Sequence, residues 1–134
     1  MSQVKAFTVG ARTFNAAQAS AVKQDELLSM LTVPLMERAM GAAQLGKELD
    51  DAVLGPMFMS MNHAAKVKIA EILMNQVFIA GTSIPVTIDD FSGRMVEYNQ
   101  LLAKLLRFNL SDFFDWLPLV LVAEGQTAAP ENAQ

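Results

Sequence analysis

The sequence predicts a mainly α protein, a helical bundle that carries a short N-terminal β-hairpin and ends in a disordered tail. Three observations lead there. Between residues 20 and 109 apolar side chains recur at three- and four-residue spacing, the period of a helix with one buried face. Residues 4–15 alternate instead, the period of a strand. The last ten residues, 125–134, are rich in Gly, Ala, Pro and Gln and hold no large apolar side chain, so they cannot bury enough surface to order themselves. A chain of 134 residues suits one domain, set here at residues 1–124, and can bury a core without metal or disulfide.

The hairpin is read from VKAFTV, then Gly10-Ala11, then RTFN. Glycine in the first loop position suits a two-residue type II′ turn, where φ must be positive. That register sets Val9 opposite Arg12, Thr8 opposite Thr13 and Phe7 opposite Phe14, with Phe7, Val9 and Phe14 on one face. A helix follows over residues 20–32, capped by Ser20 and striped by Leu27, Leu28 and Leu31. Val33-Pro34 interrupts it, and Thr32 caps a second helix running through Met40. An acidic segment over 47–54 is expected to stop at Gly55-Pro56.

Ser60 or Asn62 then starts a helix reaching about Ile79, with Gly81 placed to end it. Val67, Ala70, Met74 and Val77 repeat along it, and Ile69, Ile72 and Leu73 widen the stripe, which predicts a helix near the centre of the fold. Residues 82–87 are a linker, extended around Ile84-Pro85. Thr87 or Asp89 caps the next helix, whose seam is Phe91, Met95, Tyr98, Leu102 and Leu105 and whose end Asn109 can cap. Ser111 caps an aromatic turn over 112–117, Pro118 ends it, and 119–122 is a short strand or buried coil.

Composition narrows the function. Cysteine is absent, which removes thiolate nucleophiles, zinc knuckles and redox pairs. Net charge is −4 and the ten basic residues are scattered, with only Lys66/Lys68 and Lys104/Arg107 close together. A nucleic-acid binder normally gathers its basic residues on one face, so no nucleic-acid partner is expected. The longest apolar run, residues 117–123, is far shorter than the roughly 20 residues of a membrane helix. The N-terminus shows no run resembling a signal sequence, and a cytoplasmic protein with no membrane partner is expected.

Catalytic equipment is sparse. His63 is the single histidine, in the first turn of an expected helix, and no nucleophile or orienting carboxylate is set beside it by sequence. The phosphate- and acyl-handling motifs GxxxxGK[ST], GxGxxG and GxSxG do not occur. The pairs Asp50/Asp51, Asp89/Asp90 and Asp112/Asp115 sit where helix starts favour negative charge, so capping accounts for them better than a metal site. No catalytic residue, metal or cofactor is expected.

What remains is apolar. Hydrophobic residues make up 52% of the chain and charged residues 18%, against a usual charged share of about 25%. Three of the nine methionines gather with Phe58 at residues 57–61, where Met57, Phe58, Met59 and Met61 follow Pro56. Methionine is flexible and polarisable, so such a cluster either fills a core or lines a groove that accepts varied apolar partners. The aromatic run Phe108, Phe113, Phe114 and Trp116 has the same two readings. Because Phe113 and Phe114 are adjacent, they cannot both belong to one helical stripe. The candidate protein-binding residues are therefore Met57, Phe58, Met59, Met61, Phe108, Phe113, Phe114 and Trp116. The expected client groove lies between the 57–61 segment and the helix over 90–108.

The hairpin VKAFTVGARTF leading into AQASAVKQDELLSML, and VTIDDFSGRMVEYNQLLAKLLRFNLSDFFDWL before a polar tail, resemble tail assembly chaperones of long-tailed, siphovirus-type bacteriophages. The resemblance implies a small, acidic, non-enzymatic helical protein made in the cytoplasm of the infected host and absent from the mature virion. It implies the tape measure protein and the tail tube protein as partners, and the expected client groove is set in a homo-oligomer. It also implies a longer frameshifted form, which a junction near Gly125 would suit. A small structural virion protein of the tail or head-completion type, and a phage inhibitor of a host protein, are the alternatives.

Overall fold

The computed structural model describes residues 4–121; the tail expected at 125–134 lies outside them. The chain opens with β1 (Val4–Val9) and β2 (Arg12–Ala17), paired antiparallel with Val9 opposite Arg12, Thr8 opposite Thr13 and Phe7 opposite Phe14. Gly10 has φ +60, as the first position of the expected type II′ loop requires, and among the described residues no non-glycine, Ala11 included, has positive φ. Phe7, Val9, Phe14 and Ala16 are buried on one face of this ribbon.

The first departure from sequence expectation is α1 (Ala21–Gln44), one helix of 24 residues that runs through Pro34. Ser20 caps it as expected, accepting from the Lys23 N–H at 3.4 Å. Thr32 is no cap, because its hydroxyl donates to the Leu28 carbonyl at 2.6 Å. Proline removes one i→i−4 bond at a cost of about 3 kcal/mol. Leu27, Leu31, Leu35, Ala39 and Ala42 straddle it as one unbroken buried stripe, and burying a leucine is worth about 2 kcal/mol or more each. Packing wins.

The same holds for α2 (Asp51–Met59), which continues through Gly55-Pro56 instead of stopping there. Asp50 caps it through Oδ1 to the Ala52 N–H at 3.1 Å, and Leu54, Met57 and Phe58 anchor it in the core. After a short turn, Asn62 accepts from the Ala65 N–H at 3.2 Å and caps α3 (His63–Met74).

α3 is shorter than expected. Residues Val77–Ile79 are not its last turn but β3, a third strand antiparallel to β2, in sheet order β1-β2-β3. Val77, Phe78 and Ile79 are strand-favouring residues, and β2 offers them an unpaired backbone edge. Gly81 does take positive φ, +77, but in the turn after β3. The extended 82–87 linker then folds back: Pro85 bridges Phe78, and the Val86 N–H donates to the Val77 carbonyl at 3.0 Å.

Thr87 and Asp90 form a reciprocal capping box around a single 3-10 turn, Ile88–Phe91. Gly93, with φ +76, separates it from α4 (Met95–Asn109), so the helix expected over 90–108 starts five residues late. α4, not α3, is the central helix. Tyr98, Leu101, Leu102, Ala103, Leu105 and Leu106 are all buried in it. α3 buries Ile69, Ala70, Ile72 and Leu73, while Val67 of the expected seam is exposed. A final helix, α5, covers 111–121 and passes through Pro118, replacing the expected aromatic turn and strand.

The sheet lies with its buried face on α4. Phe7 meets Phe108 edge-on, with ring centroids 5.3 Å apart, and Phe14 packs on Phe91, which packs on Tyr98. Arg12 stacks over the Phe91 ring at 4.4 Å and donates to the Asp90 carbonyl at 2.8 Å. Asn109 caps no helix end. Its Oδ1 accepts from the Ala19 N–H at 2.7 Å and its Nδ2 donates to the Leu105 carbonyl, fastening the hairpin exit to α4.

Candidate protein-binding site

The acidic residues behave largely as caps. Asp50, Asp90 and Asp112 each accept a backbone N–H near a helix start. Asp51 does something more. Its carboxylate receives Lys104 Nζ and Arg107 Nη1, both at 3.1 Å, and so ties α2 to α4. Partial burial pushes this carboxyl's pKa up, but the two hydrogen bonds and the two positive charges together hold it below the ordinary value. Lys104 and Arg107, one of the two close basic pairs of the sequence, thus have a structural task. His63 is exposed, and among the described residues no group of three or more His, Asp or Glu stands close enough to hold a metal ion.

The methionine segment straddles the end of α2. Met57 and Phe58 are core residues, Phe58 with no exposed surface at all. Any partner contact at this segment is left to its other side chains. Met59 is 45% exposed and Met61 half-buried. The two point into separate apolar grooves on opposite flanks of α3. Met61, with Met30, Pro34, Met57, Ala65 and Ile69, lines a groove of about 380 Å³ toward α1. Met59, with Val67, Ile88, Met95, Val96 and Asn99, lines one of about 390 Å³ toward the N-terminal end of α4.

The second groove has the more unusual surface. Val67, Ile88, Met95 and Val96 are all exposed apolar side chains gathered on one wall or the other, Val96 to 56%. Lys66 reaches across Tyr98, its Nζ 6.0 Å from the ring centroid, and burial lowers the lysine's pKa and raises the tyrosine's. Asn99 forms part of the lining and is only 4% exposed. Its amide nitrogen donates to the Met95 carbonyl at 2.7 Å, whereas its Oδ1 is buried with no hydrogen-bond partner. An unpaired buried carbonyl costs about 1–3 kcal/mol.

The aromatic run is dispersed. Phe108 is core, against Phe7. Phe113 is buried and Trp116 is 47% exposed, and together with Leu28, Thr32 and Leu110 they line a third apolar groove between α1 and α5. Phe114 faces a different, more polar groove beside β1. The structure therefore brings Met59 together with α4, and Phe113 with Trp116, but it does not join the methionine segment to the aromatic run. Val67, Ile88, Met95 and Val96 were not singled out from sequence. Val67 and Met95 had been assigned to buried seams, and the missed signal was Gly93, which resets the helical phase of α4.

The described residues define a helical protein with a buried core and apolar side chains standing in open grooves on its surface. The family model described as "Phage tail assembly chaperone protein, TAC" matches residues 10–119. The chain belongs to this family. No curated protein and no solved structure matches it.

Proposed function

We propose that this protein is a tail assembly chaperone that shields apolar helical segments of the tape measure protein and helps to bring tail tube subunits to it, in the cytoplasm of the infected cell. It acts without catalysis, as a homo-oligomer, and leaves before the virion is complete. Family membership over residues 10–119 supports the chaperone class. The observation that carries the client reading is the groove between Met59 and the start of α4, with Val67, Ile88, Met95 and Val96 on its walls.

The physics suits a long apolar client. Covering apolar surface is worth about 25 cal/mol per Å² before association costs. One groove of this size therefore grips weakly, and many copies along one client hold it firmly. Methionine and valine walls adapt to varied helical faces because they impose little directional chemistry.

Co-expression with the tape measure protein tests the reading. The tape measure protein should become soluble and co-purify with this chain. A client that stays insoluble and leaves the chain unbound overturns it, and the chain's presence at stoichiometric copy number in purified particles would make it a virion component instead.

A further inference from the structure

The sheet has two ends, and the chain treats them differently. Beyond β3 the 84–86 segment covers the edge, with the Ile79 N–H donating to the Ile84 carbonyl and Pro85 at the bridge. Proline is a common device for closing a sheet edge. At the other end stands β1, regular over six residues, without proline or bulge.

Which of its backbone groups are free follows from the ladder. The Ala17 N–H donates to the Gln76 carbonyl and the Thr13 carbonyl accepts from the Ala80 N–H, so the odd-numbered residues of β2 face β3. Its even-numbered residues, Arg12, Phe14 and Ala16, then exchange hydrogen bonds with Val9, Phe7 and Lys5. The N–H and C=O groups of Val4, Ala6 and Thr8 point outward, and among the described residues none of them has a backbone partner.

We propose that this edge pairs with the same edge of a second copy, β1 antiparallel to β1 about a two-fold axis at Ala6, to make one six-stranded sheet across the dimer. The inference gives the homo-oligomer of the proposed function its interface and rests on that part of the reading alone. The strand is its own complement. Ala6 meets the partner's Ala6, and Val4 meets the partner's Thr8 on the solvent face, a β-branched pair suited to a strand. Each of these pairs exchanges both of its N–H···O bonds.

On the buried face Lys5 falls opposite the partner's Phe7, so no like charges are set against each other. Lys5 already lies over its own Phe7 ring at 5.5 Å, and the incoming ring offers it a second face. Beside this edge runs a groove of about 520 Å³, lined by Lys5, Asp51, Lys104, Phe114 and Asp115 among others. It has room for the partner's Lys5 and Phe7, and because Asp51 is already held by Lys104 and Arg107, Asp115 is the carboxylate left to meet the lysine.

The protein has no cysteine, which allows a clean test. Ala6→Cys places a single exposed thiol on the axis, about 5.5 Å in Cα separation from its mate, within ordinary disulfide geometry. Thr13→Cys is the control. It lies on the same exposed face of β2, but in the dimer the two copies stand about 20 Å apart, three strand spacings across and four residues along.

Under a mild oxidant Ala6→Cys should cross-link to a dimer at least tenfold faster than Thr13→Cys. A mixture of Val4→Cys and Thr8→Cys should cross-link to each other faster than either alone. The unmodified protein should sediment as a dimer or a multiple of one, and Ala6→Pro, which removes the central N–H, should halve its mass with its circular dichroism kept. Equal cross-linking rates for Ala6→Cys and Thr13→Cys, in a protein that is still oligomeric, overturn this interface and leave the oligomer standing. A monomer at every concentration overturns both, and points to residues 122–134 or another chain as the occupant of the edge.

Discussion

Val96 offers a perturbation whose effects on folding and on binding have opposite signs. It is the second residue of α4, exposed, and on the wall of the Met59 groove. Val96→Asp puts a carboxylate in the first turn, where the unpaired N–H groups and the helix dipole favour negative charge by about 0.3–1 kcal/mol. Thermal unfolding should therefore show equal or slightly higher stability. For a client covering the groove, the same carboxylate must be stripped of water without a fixed partner, at a cost of about 3 kcal/mol. At about 1.4 kcal/mol per decade that is roughly a hundredfold in affinity per site. Lys66 lines the same groove and would soften the loss for aspartate, so Val96→Lys is the companion. It should lose client binding as fully while losing the dipole benefit. The assays are co-purification of the tape measure protein and differential scanning calorimetry. If both variants hold the client as well as the parent does while remaining folded, the groove is not the client surface.

Asn99→Leu removes a buried oxygen that has no partner, at the expense of one hydrogen bond to the Met95 carbonyl. The protein should gain about 1 kcal/mol in urea unfolding and lose client affinity as the groove fills; a loss of stability would show that the oxygen is satisfied in solution. Asp51→Asn should cost up to about 1 kcal/mol at neutral pH, since the pair it breaks is partly exposed. The sign with pH is set by the lowered carboxyl: its contribution is complete above the unfolded value near 3.8 and is lost as pH falls through the lower folded value. Parent and variant stabilities should thus converge below pH 3.8, and a gap that persists there would mean the tie is not ionic. Asn109→Ala strips the Ala19 N–H of its acceptor and should cost about 1–3 kcal/mol. Amide exchange at Ala19 should accelerate with it, and unchanged exchange would place the fastening elsewhere.

The hairpin's turn and register were legible because their information is local: alternation, a glycine demanding positive φ, and a register that follows from loop length; only the end of β2 was missed, which runs to Ala17 and not Asn15. The three prolines at 34, 56 and 118 misled for the opposite reason. Each is a local signal against a helix, and each lies inside one, because Leu31 and Leu35, or Leu54 and Phe58, bury more than the missing hydrogen bond costs. β3 could not be read before β2 was known to offer it an edge. The candidate site was half visible for a related reason. Met57, Phe58, Met59 and Met61 are chemically alike in sequence, and only the phase of α2 against α4 decides that Phe58 enters the core while Met59 stays out. Val96 and Ile88 carry no signal of their own. They share a groove because Gly93 folds the 3-10 turn back beside the first turn of α4.

α4 also fixes how self-association and client binding relate. The groove uses its first turn, at Met95, Val96 and Asn99, whereas Lys104, Arg107 and Phe108 line the groove beside β1 at its other end. Lys104 stands five residues, about 8 Å of helix, beyond Asn99 and nine, about 14 Å, beyond Met95, so the proposed dimer, paired through β1, would leave both of the proposed client grooves open. A client long enough to span both engages them with an effective concentration set by the dimer's own rigidity, an advantage of about a hundredfold or more over one site. Ala6→Pro should therefore weaken binding of a long tape measure fragment by that order and leave a fragment spanning a single groove unaffected, with Val96→Asp weakening both. Fluorescence anisotropy on the two fragments separates the cases. Equal losses for short and long fragments in Ala6→Pro would mean that the edge supports the groove's shape and that the client does not bridge two copies.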